Sequence, residues 1–378
     1  MAWTLRLPSG RWRAEYRDPH GRKRGQSFDR KADATRWLAA QTTAMARGDY
    51  VDPTLGRATL EDFWPRFQTS ARNLRPSTQA TYEALARVHI LPQLGRARLG
   101  SITRLDIEEW LQGLQAAGVG PSTANAAHRV LRRVLQAACD AGLVARNPAA
   151  GVKAPRPPRE EMRFLSPQEV HAIALEVQPR YRALIILLGF CGLRIGEATA
   201  LAVSDLDLLR SEVRIRRAFA EVRGELLLGR PKTKAGARAV ALPNFVREAL
   251  SAHLSEFPSS PDSFLFTAPE GGAVRRSLFR TRVWQPALGR AGIANPLPRV
   301  HDLRHSAAAI AISAGAHPKL IQDMLGHASI VMTLDRYAHL FSSVGEDLAR
   351  RVDELAGDSA PHMPRGRREE VASIERQR

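Results

Sequence analysis

Residues 301–340 read HDLRHSAAAIAISAGAHPKLIQDMLGHASIVMTLDRYAHL and alternate polar, chemically active side chains with apolar helical segments. His301 and Arg304 are three residues apart, so a helix that begins near His301 or Asp302 makes them neighbours. Asp302 can cap the free N–H groups at that helix start, and Gly315 can end the helix.

Two further helices are predicted in the same stretch. Pro318 suits the first turn of a helix and Gly326 its end, which places His327 on the turn that follows. Ser329 can cap a third helix that carries Tyr337. Imidazole, guanidinium and phenol groups therefore come from three separate elements.

The combination of these groups is more informative than any one of them. A single His or Tyr is usually a core or capping residue. Together they suit a phosphodiester, which requires anion clamps, a proton shuttle and an oxygen nucleophile. The strings HDLRH, LGHAS and RYAH resemble the C-terminal signature of the tyrosine recombinase (phage integrase) family.

An earlier block, GLRIGEATAL, contains Arg194 and Glu197 three residues apart among apolar neighbours. An arginine in such surroundings requires an anionic partner, because burying an unpaired charge is costly. That partner is either Glu197 alone or a phosphate, with Glu197 supporting Arg194. The block resembles the first conserved box of tyrosine recombinases, which favours the phosphate.

The chain contains only six lysines, and two of them, Lys232 and Lys234, lie in one predicted hairpin. An ammonium group can give up a proton, whereas a guanidinium effectively cannot. By resemblance to the hairpin lysine of the family we favour Lys232, which follows Pro231 before the turn, and keep Lys234 as the alternative.

The resemblance implies a strand-exchange reaction that uses no metal ion, ATP or other cofactor, and we find no carboxylate cluster of the kind that two-metal nucleases use. Tyr337 is expected to attack the scissile phosphorus, giving a 3′-phosphotyrosyl bond and a free 5′-hydroxyl. The other implied roles are phosphate clamping by Arg194 and Arg304, leaving-group protonation by Lys232, acid–base exchange with Tyr337 by His301, and a hydrogen bond to the phosphate from His327. His305 and His339 receive supporting roles.

Charge and composition agree with a protein that binds a polyanion. The formal net charge is +18 over 378 residues, and basic residues exceed acidic ones in the N-terminal, middle and C-terminal parts. The two cysteines, Cys139 and Cys191, lie in apolar helical contexts typical of buried thiols in a reducing compartment. The chain has no signal peptide and no apolar run long enough to span a bilayer, so we predict a cytoplasmic protein without membrane contact.

The predicted fold is mainly α with small β-sheets (α+β). Residues 1–55 read as a small β-sheet plus helix and resemble an arm-type DNA-binding domain; residues 56–150 read as four helices, with Ser77 as a cap, and resemble the core-binding domain. Residues 151–163 are a linker rich in proline and charge, residues 164–356 a mixed α/β catalytic domain with a short FLF strand, and residues 357–378 a polar tail without assigned fold.

Several basic side chains are candidates for DNA contact, although each also suits a solvated surface. They are Arg11, Arg13, Arg22 and Lys23 in the first domain, Arg129, Arg132 and Arg133 about one turn apart on one helix, and Arg275 and Arg276 in the last domain.

The predicted partner is double-stranded DNA at attachment sites. A homotetramer on DNA, together with accessory DNA-bending or directionality proteins, is implied by the resemblance. The front domain and the RYAHLF ending look more like an integrase of a phage or integrative element than a chromosome-dimer resolvase. A type IB topoisomerase and a DNA-binding regulator without catalysis are the alternatives; the separate N-terminal modules disfavour the first, and the set of active side chains disfavours the second.

Overall fold

The computed structural model describes residues 2–19, 21–46, 57–156, 162–231, 233–341, 352–354 and 356, without the side chains of residues 234, 339 and 341. The chain divides into two compact units, residues 1–160 and 161–378. The fold is mainly helical with small antiparallel sheets, as predicted. Within the described ranges, every helix is too short or too polar to cross a membrane.

The first unit begins with a three-stranded antiparallel sheet and a helix, which confirms the predicted arrangement. The elements are β1 (Ala2–Arg6), β2 (Trp12–Arg17), β3 (Lys23–Phe28) and α1 (Lys31–Ala46), with β2 in the middle of the sheet. Trp37 of α1 packs its ring 5.5 Å from Tyr16 and 5.6 Å from Phe28, centroid to centroid. These aromatic contacts hold the helix against one face of the sheet.

Four helices follow, and they enclose a separate core. They are α2 (Leu60–Ser70), α3 (Pro76–Leu85, continued by a π-helical turn over Ala86–Ile90 and by Leu91–Leu94), α4 (Arg104–Ala116) and α5 (Pro121–Asp140). Thr59 and Thr103 close capping boxes at the starts of α2 and α4. The predicted cap at Ser77 is wrong: the cap position is Arg75, two residues earlier, because Pro76 is preorganised for the first turn of α3.

The second unit is built around one helix that is buried on nearly all sides. Its first helices are α6 (Pro167–Glu176), α7 (Pro179–Cys191) and the short α8 (Ile195–Ala198). Ser166 and Glu169 form a capping box at the start of α6. Residues 183–189 of α7 are all buried, so this helix forms the centre of the largest core. It ends at Gly192, which adopts a left-handed conformation.

Two small sheets come next. The strands β4 (Leu206–Asp207), β5 (Glu212–Ile215) and β8 (Arg238–Ala241) form one antiparallel sheet with β5 in the middle, and β6 (Ala218–Val222) and β7 (Glu225–Gly229) form a separate hairpin. Both Lys232 and Lys234 come after this hairpin in the sequence, between β7 and β8, which belong to different sheets. Gly196 of α8 lies against this hairpin so closely that a Cβ there would be 2.4 Å from the carbonyl oxygen of Phe219. The glycine of the GLRIGEA block therefore permits backbone-to-backbone packing.

The remaining helices complete the second unit. They are α9 (Asn244–Glu256), α10 (Arg276–Leu278, a π-helical turn over Phe279–Trp284, and Gln285–Arg290), α11 (Asp302–Ser313), α12 (Pro318–Leu325) and α13 (Ile330–Phe341). The predicted FLF strand is wrong. Phe264 makes one isolated bridge to Ala202, because the segment is anchored through backbone hydrogen bonds to a loop rather than to a strand.

Trp284 connects α10 to the loop that precedes His301, because its indole Nε1 donates to the carbonyl oxygen of Pro298 at 2.8 Å. Its side chain is fully buried in the main core. We expect Trp284→Ala to lower the free energy of unfolding by about 3–5 kcal/mol. Leu209→Ala, at a residue that is 99% exposed, should change it by less than about 0.5 kcal/mol. Urea denaturation followed by circular dichroism measures both; equal effects would contradict the packing described here.

Candidate active site

Arg304 connects three parts of the second unit. It lies in the first turn of α11 and is only 3% exposed. Its Nη1 donates to the carbonyl oxygen of Gly192 at 2.6 Å, and its Nη2 donates to that of Leu325. These carbonyls end α7 and α12, where oxygen atoms lack helical partners and the helix dipole favours a cation. Arg304 therefore fixes the ends of α7 and α12 next to the start of α11.

Arg194 precedes α8 and uses Glu197 as its partner. Its Nη1 lies 2.7 Å from Glu197 Oε1, and its backbone N–H donates to Oε2 at 3.1 Å. Glu197 is buried, whereas the Arg194 side chain remains 31% exposed. Burial raises the pKa of Glu197, but the charges of Arg238 and Arg194 and the hydrogen bonds from Arg194 lower it by more. Arg194 is thus held by an ionised carboxylate with part of its guanidinium open to solvent.

His327 follows the left-handed Gly326 that ends α12, as the sequence predicts. The imidazole is buried, and its Nδ1 lies 2.9 Å from the hydroxyl oxygen of Thr333 on α13. Gln322 secures the turn, accepting from the His327 N–H through its backbone oxygen and donating to the His327 carbonyl through Nε2. This leaves Nε2 of His327 for another partner.

Tyr337 lies on the inner face of α13 and is fully buried. Its hydroxyl oxygen is 2.7 Å from Nδ1 of His305, and its ring packs 6.4 Å from that of Phe164. His305 is one helical turn from His301, and their rings meet edge to face with centroids 5.0 Å apart. The phenol is therefore held by His305 rather than by His301.

The imidazoles of the site are neutral at pH 7. Burial, together with the charge of Arg304, lowers the pKa of His301 and of His327 to about 4, although the His301 residue retains solvent exposure. Burial and the neighbouring His301 lower the pKa of His305 to about 4 as well. Burial raises the pKa of Tyr337. The phenol is thus protonated, and each imidazole can act as an acceptor.

Burial and the charge of Arg194 lower the pKa of Arg304 to about 9, which still leaves the guanidinium charged at pH 7. The same two arginines both influence the pKa of His327 and of His301, and Arg304 also influences that of Tyr337. Charge interactions therefore connect five groups of the site, namely Arg194, His301, Arg304, His327 and Tyr337.

Three predicted residues and the polar tail lie wholly or partly outside the residues that the structure describes. Lys232 lies outside the described residues, and so do the side chains of Lys234 and His339 and the tail 357–378. The backbone of Lys234 belongs to a short 3₁₀ turn, Lys234–Gly236, immediately before β8. The choice between Lys232 and Lys234 therefore stays a prediction.

Three features of the site were missed in the sequence. Arg238 pairs with Glu197, with Nη2 3.1 Å from Oε2, and its side chain is only 7% exposed. Strand alternation in RAVAL carries the signal, because Arg238 shares a face with the buried Val240. The second feature is the contact between His301 and His305, for which their four-residue spacing carries the signal. Thr333, one turn before Tyr337, has no comparable signal.

The proposed DNA-contacting side chains lie on surfaces. In the N-terminal sheet, Arg11 pairs with Asp29, whereas Arg13 and Lys23 both pair with the buried Glu15. The other candidates, Arg22, Arg129, Arg132, Arg133, Arg275 and Arg276, are exposed. Arg133 lies over the ring of Tyr82 at 5.9 Å. Among the residues that can be described, no group of three His, Cys, Asp or Glu side chains is arranged to hold a metal ion.

Comparisons with known families identify the family to which the chain belongs. The phage integrase family model matches residues 163–343, the phage integrase N-terminal domain residues 4–47, and the phage integrase N-terminal SAM-like domain residues 59–115. The chain belongs to the phage integrase family. It is similar to the integrase of Mycobacterium phage D29, with 28% identity over 92% of this chain and 95% of the relative. It is also similar to a putative prophage phiRv2 integrase of Mycobacterium tuberculosis, with 29% identity over 92% and 94%.

Solved structures of integrases share its fold. The Tn1549 transposon integrase in complex with transposon right end DNA superposes with a TM-score of 0.68 and 22% identity, covering 78% of this chain and 99% of that one. A lambda integrase dimer bound to a COC′ core site gives a TM-score of 0.58 and 19% identity, covering 88% and 93%. At 22% and 19% identity, the similarity to these two structures shows a shared fold and nothing more.

The neutral histidines make stability depend on pH. The pKa of His305 and of His327 is about 4 when folded and near 6.5 when exposed, so the unfolded chain binds more protons between these values. We expect the free energy of unfolding to be constant above about pH 6.5 and to fall as pH drops toward 4. Urea denaturation at pH 7 and pH 5 measures the loss. His305→Asn and His327→Asn should each reduce it; an unchanged loss in both variants would contradict the assignment.

Proposed function

We propose that this member of the phage integrase family is a tyrosine-type site-specific DNA recombinase. Its reaction integrates or excises a phage or other mobile element through a 3′-phosphotyrosyl intermediate. The observation that supports this most directly is the convergence of Arg194, His301, Arg304, His327 and Tyr337. A phenol, two guanidiniums and neutral imidazoles together suit a phosphodiester better than any other substrate class.

In the proposed reaction, Tyr337 Oη forms a bond to the scissile phosphorus while the bond from phosphorus to the 5′-oxygen breaks. The phenolic proton passes to an imidazole, with His301 as the proposed acid–base partner, and Lys232 protonates the departing 5′-oxygen. A 5′-hydroxyl from a partner strand then attacks the phosphotyrosine in the reverse sense. Because the covalent link conserves the phosphodiester bond energy, rejoining requires no ATP.

The arginines and His327 stabilise the charge that develops on the non-bridging oxygens. Arg194 can reach a bound phosphate because its side chain is partly exposed, and Arg304 retains donors beyond the two that bind carbonyls. His327 is fixed by Thr333 through Nδ1, so Nε2 can donate to the phosphate. Tyr337, fully buried and bonded to His305, must turn away from His305 before it attacks.

Each domain along the chain has a proposed role. Residues 1–55 bind arm-type DNA sites, residues 56–150 bind the core site, residues 151–163 link the domains, and residues 164–356 catalyse. The three family models, over 4–47, 59–115 and 163–343, support these boundaries. The Tn1549 and lambda integrase structures contain DNA, and lambda integrase also forms a tetramer bound to a Holliday junction. We accordingly propose a homotetramer on attachment-site DNA in the cytoplasm, aided by accessory DNA-bending or directionality proteins.

Removal of the nucleophile is the decisive experiment. We expect Tyr337→Phe to form no covalent adduct on a nicked suicide duplex that carries the end sequence of the element, because the attacking oxygen is absent. Its affinity for the same duplex should stay near that of the unaltered chain. Adducts are counted on denaturing gels, and affinity is measured by gel shift.

The control variant is Tyr181→Phe, which removes the hydroxyl of another buried tyrosine in the same unit. It should form adduct normally. An adduct that survives Tyr337→Phe overturns the nucleophile assignment. Binding without any adduct in the unaltered chain indicates a regulator, and relaxation of supercoiled DNA that lacks any site indicates a topoisomerase; either result overturns the proposed function.

The leaving-group acid can be located with a substrate that does not require one. A bridging 5′-phosphorothiolate leaves as a thiolate and requires no proton. We expect Lys232→Ala to slow cleavage of ordinary DNA by about 10²–10⁴-fold and to cleave the phosphorothiolate at nearly the unaltered rate. Lys234→Ala, the matched control, should behave like the unaltered chain on both substrates. The reverse result assigns the role to Lys234.

A further inference from the structure

Arg238 is a buried guanidinium that the proposed reaction leaves without a role. It begins β8, and its side chain is 7% exposed. It donates to three acceptors: Nε to the carbonyl oxygen of Met324 at 2.7 Å, Nη1 to that of Gly236 at 3.0 Å, and Nη2 to Glu197 Oε2 at 3.1 Å. These acceptors belong to α12, to the turn before β8 and to α8. One side chain therefore joins three segments around the site.

The first connection leads to Arg194. Glu197 gives one carboxylate oxygen to the Arg194 guanidinium and the other to Arg238. Arg238 thereby fixes the orientation of the carboxylate plane, since both oxygens are held from opposite partners. The position of the Arg194 guanidinium, which forms part of the proposed phosphate clamp, follows from that orientation.

The second connection leads to His327. Arg238 holds the carbonyl of Met324, and Arg304 holds that of the next residue, Leu325. Gly326 then turns left-handed, and a Cβ there would lie 2.8 Å from Arg238 Nη1. Two guanidiniums thus fix the last two carbonyls of α12, and the glycine permits the approach of Arg238. His327 is the next residue after this held turn.

We propose that Arg238 is a positioning residue for DNA cleavage, which sets both the Arg194 carboxylate partner and the turn that presents His327. The inference rests on the proposed recombinase function and extends it. The three hydrogen bonds of Arg238 described above go to neither Tyr337 nor Lys232, the proposed nucleophile and leaving-group acid. Its effect on the cleavage rate is therefore expected to act through Arg194 and His327, which are proposed to hold the phosphate. Its forked geometry is essential, because a lysine ammonium retains the charge beside Glu197 but cannot reproduce three donors in fixed directions.

The test compares Arg238→Lys and Arg238→Met with Arg214→Met. Arg214 lies on the neighbouring strand β5 and pairs with Glu212 and Asp207, outside the site. The rate of adduct formation is measured in single turnover with saturating protein, on the nicked suicide duplex and on its 5′-phosphorothiolate form. Melting temperature by circular dichroism and duplex affinity by gel shift accompany each variant.

We expect Arg238→Met to cleave about 10–100-fold more slowly on both substrates, with affinity unchanged, and Arg238→Lys to fall between it and the unaltered chain. Arg214→Met should cleave normally. A normal rate for Arg238→Met overturns the proposal. A cleavage rate of Arg238→Met that returns to normal on the phosphorothiolate duplex also overturns it, because the defect then lies in protonation of the leaving group.

Two further outcomes complete the test. If Arg238→Met does not fold, Arg238→Lys decides: slower cleavage on both substrates at a melting temperature near that of the unaltered chain supports the proposal, and a normal rate overturns it. If the unaltered chain forms no adduct, the proposed function fails and this role with it. A normal adduct in the unaltered chain and in every Arg238 variant overturns the role of Arg238 alone.

Discussion

The ionised carboxylate of Glu197, buried between Arg194 and Arg238, is the interaction on which the rest of the site depends. Removing one partner of a buried ion pair typically costs 3–5 kcal/mol, because the remaining charge is left uncompensated. Here the arrangement also extends outward: Arg238 reaches the end of α12, and Arg304 reaches the same helix end and that of α7. The ends of α7 and α12 are therefore both held by the guanidinium of Arg304 at the start of α11, in addition to their apolar packing, and their last carbonyl groups are directed at one place.

Around this frame, fixed positive charge and neutral imidazoles are kept together. Arg304 stays charged, while the pKa of His301, His305 and His327 is lowered to about 4. Burial, reinforced by the cations that we propose bind a phosphodiester, thus keeps the nearby histidines uncharged, and an uncharged imidazole is the form that can accept a proton from a phenol. The arginine charges proposed to bind the phosphodiester are consequently compatible with neutral histidines that can accept the phenolic proton.

Much of the fold could be predicted because its signals are local. Ser166 with Glu169, Gly192 and Gly326 mark helix ends through backbone chemistry that depends on few neighbours. The site residues could be grouped because four strings, GLRIGEATAL, HDLRH, LGHAS and RYAH, carry them. Alternation in RAVAL marks Arg238 as inward-facing, but its pairing with Glu197 and the bond between His305 and Tyr337 could not be predicted, since both depend on which segments meet in three dimensions. Local signals also compete: Pro76 set the start of α3 in place of Ser77, and tertiary anchoring reduced FLF to one bridge.

Tyr337 belongs to a small apolar cluster with Ala308, Ile312, Ile321 and Leu325, separate from the large core around α7. Regions with few buried contacts open locally at lower free energy than the whole domain unfolds. We therefore expect the last helix to open at a lower free energy than the large core. Under the proposed reaction, aliphatic substitutions in this cluster change how readily Tyr337 leaves its buried position, and so change the timing of strand cutting without altering any group proposed to perform the chemistry.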